Sequence, residues 1–272
     1  MNPILEHNRK AWDDRVRQNK AHTNPATEKD FENPLHAVDG RGWLGQNVRG
    51  KRILCLASGG GYQSVLFAAA GAIVTVVDIS GEMLELDRRI AAERGLSVTT
   101  IEASMEDLPT LADASFDIVS QPVSTCYVPE VHLVYREVAR LLPPGGLYVS
   151  QHKQPINLQT DVNSTAGGYL VREPYYRSGP LPPATPSRTR EAGTLEFLHR
   201  WDELIGGLCR AGFVIEDLRE PRHDDEKAWP GSFGHRSRFV PPYVRIKARR
   251  VATAPAVAPS SAQSAGLWTP TT

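Results

Sequence analysis

The chain has 272 residues, 40% of them hydrophobic, with 31 Lys plus Arg against 31 Asp plus Glu and three cysteines. Zero formal charge gives no long-range pull on polyanions and disfavours a dedicated nucleic-acid binder. Cys55, Cys126 and Cys209 stand far apart without CxxC spacing, which argues against a disulfide framework or a thiolate zinc site and predicts a cytoplasmic protein.

The N-terminal segment turns charged within six residues, unlike a secretion signal. A helical cap is expected over about residues 1–48, with Trp12 either in a lid or in a core contact. Lys51 to Ala57 and Ala72 to Asp78 are short, apolar and partly β-branched, as buried parallel strands are. A glycine-rich turn and an Ala-rich helix, Gln63 to Ala70, lie between them; this helix contains the longest strongly apolar run, Val65 to Ala70, which is far too short to span a bilayer. Ser80 is placed to cap a helix carrying Met83, Leu86 and Ile90 on one face and ending at Gly95. Strands follow at Ser97 to Ile101, Phe116 to Ser120 and Leu147 to Gln151. Before the last of these, a helix over about Glu130 to Leu142 stops at Pro143-Pro144-Gly145-Gly146.

Residues 152–193 break the alternation, being rich in Pro, Gly, Tyr and Arg, and read as an irregular excursion over the sheet edge. Tyr175 and Tyr176 in it are candidate walls of a substrate pocket. A helix from Trp201 ends at Gly212, and Phe213 to Leu218 and Tyr243 to Ala248 read as a final antiparallel pair. Gly231 to Arg250 holds six basic and no acidic residues, and reads as a solvated face with local salt pairs. Residues 251–272 carry no charge and read as a disordered tail, with Trp268 at most a docking anchor. The βα alternation predicts one α/β domain over residues 1–250, a Rossmann-like sheet with helices on both faces.

The chemistry concentrates at Ile53 to Gly61, a strand running into three glycines. Such a turn presents free backbone N–H groups at the carboxyl edge of the sheet. Asp78 stands nineteen residues past Gly59, at the end of the next strand, where a carboxylate can accept both hydroxyls of a ribose. The turn and Asp78 alone also fit a nicotinamide-dependent oxidoreductase.

Five segments in order decide further: ILCLASGGG (53–61), VTVVDIS (74–80), ASMEDLP (103–109), SFDIVS (115–120) and LLPPGG (141–146). Together they resemble the class I S-adenosylmethionine-dependent methyltransferases, in particular the small-molecule group typified by ubiquinone and menaquinone biosynthesis. The resemblance implies a seven-stranded, mostly parallel sheet with an antiparallel last pair, and S-adenosylmethionine as cofactor. It implies that Ala57, Ser58, Gly59 and Gly61 face the methionine part through backbone groups. Asp78 is then expected on the ribose, Ile79 and Met83 beside ribose and adenine, Ser104, Met105 and Glu106 at the adenine loop, and Gln121, Pro122 and Val123 beside the sulfonium. The family usually has an acid at Cys55, a glycine at Ala57 and an aspartate at Ser104. A methyl group at position 57 requires that the backbone there keep φ negative. A cofactor-binding protein without catalysis remains an alternative.

Methyl transfer from a sulfonium expels a neutral leaving group, so alignment and exclusion of water carry most of the catalysis, and a base serves only an acceptor that is protonated at neutral pH. His152, after the fifth strand, and His199, before the late helix, are candidate bases, and Tyr127 is placed to orient the acceptor. The expected partner is a small-molecule acceptor, with no metal, no nucleic acid and no stable membrane insertion, and the protein is expected to act as a monomer or homodimer.

Overall fold

The fold grows outward from β1 (Arg52–Leu56), an apolar strand whose last four residues are buried. It pairs in parallel with β2 (Ile73–Asp78) on one side and β4 (Ile118–Gln121) on the other. This computed structural model describes residues 2–185 and 187–252. Beyond β2 lies β3 (Val98–Glu102), and beyond β4 lies β5 (Leu147–Lys153), both in parallel pairing. The strand order places consecutive β1 and β2 on one side of a switch and β4 on the other, so the crevice above the carboxyl end of β1 is where α/β sheets bind ligands.

Alternate residues of β1 bury opposite faces. Leu54 and Leu56 pack with α6 (Val131–Leu141) and α8 (Trp201–Arg210), whereas Ile53 and Cys55 pack with Phe67 of α4 (Gln63–Ala69) and Leu84 of α5 (Gly81–Glu93). The sheet has seven strands, as the resemblance implies, but the last two do not follow in chain order. β9 (Tyr243–Arg250) is inserted between β5 and β8 (Phe213–Arg219) and runs antiparallel to both.

That insertion corrects two expectations. Pairing of Lys153 with Tyr243 carries β5 two residues past its predicted end, so His152 lies inside the strand rather than after it. The basic segment does form salt pairs, Lys247 and Arg249 with Glu216 of β8, but it is not a solvated face throughout, because buried Arg236 donates to the carbonyls of Asn157, Thr160 and Asp161. The excursion also holds regular structure, a short helix α7 (Pro155–Gln159) and a hairpin of β6 (Thr160–Thr165) and β7 (Gly168–Val171). No helix among the described residues is long and apolar enough to cross a membrane. The expected tail, with Trp268, falls outside the described residues apart from Val251 and Ala252.

The N-terminal helix α1 (Pro3–Arg17), followed by the short helices α2 (Glu28–Glu32) and α3 (Pro34–Val38), starts on an Asn2 cap and closes over the crevice. Asn8 fastens it: the side-chain amide donates to the carbonyls of Tyr127 (2.9 Å) and Leu195 (3.0 Å) and accepts from the Leu195 N–H (2.7 Å). Asp13 fastens its other end, accepting from Ser80 Oγ at 2.6 Å.

Candidate active site

A cavity of about 550 Å³ opens at the carboxyl ends of β1, β2 and β4 and runs under α1. Pockets for small ligands span roughly 300–1,000 Å³, so its size fits one cofactor together with part of an acceptor. Ten of the residues expected at a cofactor line it: Ala57, Ser58, Gly59, Asp78, Ile79, Met83, Ser104, Met105, Pro122 and Val123.

Asp78 forms the hub of the polar wall. Its carboxylate accepts from the Gly59 N–H (2.9 Å) and the Ser80 N–H (2.9 Å), which pins the glycine turn against the end of β2. Burial pushes its pKa up to about 6, outweighing these amides, which favour the ionised form. Gly59 is glycine because the protein itself comes close: a Cβ there falls 2.7 Å from Met83 Cβ and 3.1 Å from Asp78 Cγ.

The carboxylate that the resemblance places at position 55 is absent, and Cys55 faces the core. Asp87, on α5, reaches the turn instead, accepting from the Gly60 N–H (2.9 Å) and from Ser64 Oγ. Asp87 has its pKa raised to about 6 by burial, and it was not legible in the sequence because the segment carries no spacing rule for it.

Ala57 departs from expectation, since its φ is +47°. Left-handed backbone costs an alanine roughly 1–2 kcal/mol. The greater freedom of an unfolded glycine offsets about 0.4–1 kcal/mol of that. Ala57→Gly is therefore expected to stabilise the fold by about 0.5–1 kcal/mol, seen as a higher urea midpoint with an unchanged m-value.

Three expected cofactor residues do not line the cavity. Gly61 sits against α5, where a Cβ would meet the Leu86 carbonyl at 3.0 Å. The Glu106 N–H instead donates to Ser104 Oγ (3.2 Å), fixing the loop after β3. Gln121 is buried in a network with Tyr148, Met105 and Ser124 behind the wall.

Neither candidate histidine reaches the cavity. His152 is fully enclosed, with Nδ1 bonded to Thr125 Oγ1 and Nε2 to Ser150 Oγ, both at 2.8 Å. Burial, with His199 nearby, lowers its pKa to about 3 and keeps it neutral. His199 donates through Nε2 to the carbonyls of Thr125 (2.9 Å) and Val128 (3.0 Å), and burial lowers its pKa too. These two rings brace the loop after β4. Tyr175 and Tyr176 also miss the cavity; the first accepts from the Trp201 N–H and the second is 82% exposed.

Tyr127 does line the cavity, edge-on to Trp12 at 5.5 Å, so Trp12 is both a packing contact and a wall. Its hydroxyl donates to Glu191 at 2.7 Å. Glu191 brings with it a set that no motif announced: His22, Gln151, Arg188, His223, Phe233 and Tyr243 line the same end. Behind it Lys153, 1% exposed, bonds Glu191 (2.6 Å) and Glu196 (2.5 Å). Burial opposes these charges, yet their mutual attraction holds the ammonium above its usual range and the Glu191 carboxylate below its own.

The methyltransferase domain family matches residues 54–150. The chain is 33% identical over 237 residues to the uncharacterized methyltransferase YbaJ of Bacillus subtilis (strain 168), covering 82% of this chain and 92% of that one. A ubiquinone biosynthesis O-methyltransferase of Bordetella bronchiseptica is 34% identical over 124 residues, 44% of this chain and 51% of its own length. Among solved structures, an S-adenosylmethionine-dependent methyltransferase from Mesorhizobium loti superposes with a TM-score of 0.64 at 26% identity, covering 81% of this chain and all of that one. The sheet order, the glycine turn answered by Asp78 and a relative matched over nearly its whole length agree: the chain belongs to the class I S-adenosylmethionine-dependent methyltransferases.

Proposed function

We propose that this cavity holds S-adenosylmethionine beside a small-molecule acceptor and that the enzyme transfers the methyl group by in-line displacement. The observation that carries the reading is Asp78, a carboxylate at the end of β2 that shares one cavity wall with the glycine turn and bonds its amide. Two of its acceptor positions hold backbone amides, and a carboxylate has about four, which leaves sites for the ribose hydroxyls. Ile79, Met83, Ser104 and Met105 would hold the adenine side, and Ala57, Ser58 and Gly59 the methionine side, with Pro122 and Val123 at the sulfonium. When bound, the cofactor supplies an electrophilic methyl carbon whose bond to sulfur breaks to leave a neutral thioether.

The protein's own share is alignment and dryness. α1 roofs the cavity with Leu5 and Trp12, which keeps bulk water from the reacting atoms. Tyr127, held by Glu191 and Trp12, presents a fixed ring beside the acceptor's space. The balanced charge supports an acceptor other than nucleic acid, and cysteines without disulfide partners among the described residues support a reducing, cytoplasmic setting.

Titration calorimetry with S-adenosylhomocysteine tests the reading, with NAD as the control. Saturable binding of the first and none of the second is expected, with a thermal midpoint that climbs with ligand concentration. No binding at millimolar S-adenosylhomocysteine rejects it.

A further inference from the structure

His22 is the one histidine besides His223 among the residues lining the cavity, and nothing in the family motifs points to it. It follows α1 in a loop and adopts φ +71°, left-handed backbone that is uncommon for a residue other than glycine. Its Nε2 lies 3.6 Å from Glu191 Oε1. That oxygen is the free one of the pair, because Lys153 and Tyr127 both bond Oε2. Lys153 is in turn neutralised by Glu196, whose second oxygen takes Arg190. The carboxylate is thus ionised, immobile and turned with one oxygen toward an imidazole that shares its cavity.

We propose that His22, oriented by Glu191, is the general base of the reaction and that the acceptor is a hydroxyl compound that still carries its proton at neutral pH. The proposal rests on the methyl-transfer reading of the same cavity. The Glu191 charge, 3.6 Å from Nε2, favours the tautomer of the neutral ring that keeps its proton on Nε2, which leaves Nδ1 as the basic nitrogen toward the acceptor. As the acceptor oxygen forms its bond to the methyl carbon, the carbon–sulfur pair stays on sulfur and the hydroxyl proton passes to Nδ1. The sulfonium charge is thereby replaced by an imidazolium charge, which Glu191 balances. The ring is 45% exposed, so it returns the proton to solvent. Tyr127 is a positioning residue, acting through Glu191.

The groups facing the ring set its state. Burial lowers its pKa and Glu191 raises it, while Arg15 of α1, Lys153 of β5 and Arg188 of the excursion lower it again. The free ring is therefore neutral at pH 7, the form a base requires.

The test uses the full chain saturated with S-adenosylhomocysteine, and nitrogen-15 NMR of its histidine rings, with the His22 signal identified by its loss in His22→Gln. A midpoint below 6.5 is expected, moving lower by about threefold or more in proton affinity when Glu191→Gln removes the facing charge. Calorimetry on both variants is expected to give S-adenosylhomocysteine affinities within about threefold of the parent. With catechol as the hydroxyl probe, turnover rises as His22 loses its proton, and His22→Gln lowers it on the order of a hundredfold. A His22 midpoint unmoved by Glu191→Gln, a tenfold loss of S-adenosylhomocysteine binding in either variant, or catechol turnover that is absent or equal in parent and His22→Gln overturns the proposal. Failure of the parent protein to bind S-adenosylhomocysteine would instead overturn the reading beneath it.

Discussion

Asp78→Ala is expected to weaken S-adenosylhomocysteine binding on the order of a hundredfold, or about 3 kcal/mol, the worth of two charge-assisted bonds lost from a buried site. The variant also frees the Gly59 and Ser80 amides that the carboxylate now holds. Asp78→Asn separates the two effects, because its amide oxygen can keep one backbone N–H yet carries no charge for the ribose. Acid is expected to mimic the substitution. Asp78 titrates in the folded protein near 6, raised by burial from 3.8, and the ribose hydroxyls need the ionised form. Affinity is therefore full from about one unit above 6 and falls as pH decreases through 6, up to about tenfold per unit. The stability of the free protein runs the other way. A carboxyl with a raised folded pKa contributes stability below its unfolded value that is lost as pH rises through 6, and Asp87 adds to this trend. Between about pH 4 and 6, calorimetry and urea titration therefore have opposite slopes, and parallel slopes there would contradict the placement of Asp78.

Lys153→Met should cost about 3–5 kcal/mol of stability, since removing one member of a buried ion pair strands its partners. Here two carboxylates are stranded: Glu191 and Glu196, 6% and 0% exposed. Arg190 compensates only Glu196. Against a total of roughly 5–15 kcal/mol, the loss is severe, and urea midpoints read it directly. Adding Glu191→Gln to Lys153→Met is expected to recover part of it, because a neutral amide can be buried at lower cost. In the parent protein the Lys153 contribution is present below 10.5 and lost only as pH rises through its higher folded value. The Glu191 contribution is present above 4.5 and lost as pH falls through its lower folded value. The cluster therefore stays intact across the neutral range, which keeps the Tyr127–Glu191 end of the cavity rigid.

Both predictions fall on one cavity but differ in how they were reached. Asp78 and Gly59 are close in sequence, joined by one strand–helix–strand unit, so their meeting follows from spacing. Lys153, Glu191 and His22 come from three separate segments, and no pattern in any one of them signals the others. His152 and His199 illustrate the opposite case. A histidine near the carboxyl edge of a sheet reads as reactive, but β9 covers the end of β5, and the rings turn inward to satisfy Thr125, Ser150 and the carbonyls of the loop after β4.

What the sequence determined by itself is whatever depends on neighbours along the chain. Short β-branched runs make strands, Pro143-Pro144-Gly145-Gly146 stops a helix, and glycines followed at nineteen residues by an acid mark the crevice at the carboxyl end of the sheet. The tertiary structure alone decided the sign of φ at Ala57, the takeover of the turn by Asp87, the place of β9 in the sheet and the set of polar groups around Glu191. These depend on which distant side chains share a buried volume. In that volume each charge must find a partner, and the partner is chosen by packing rather than by position in the chain.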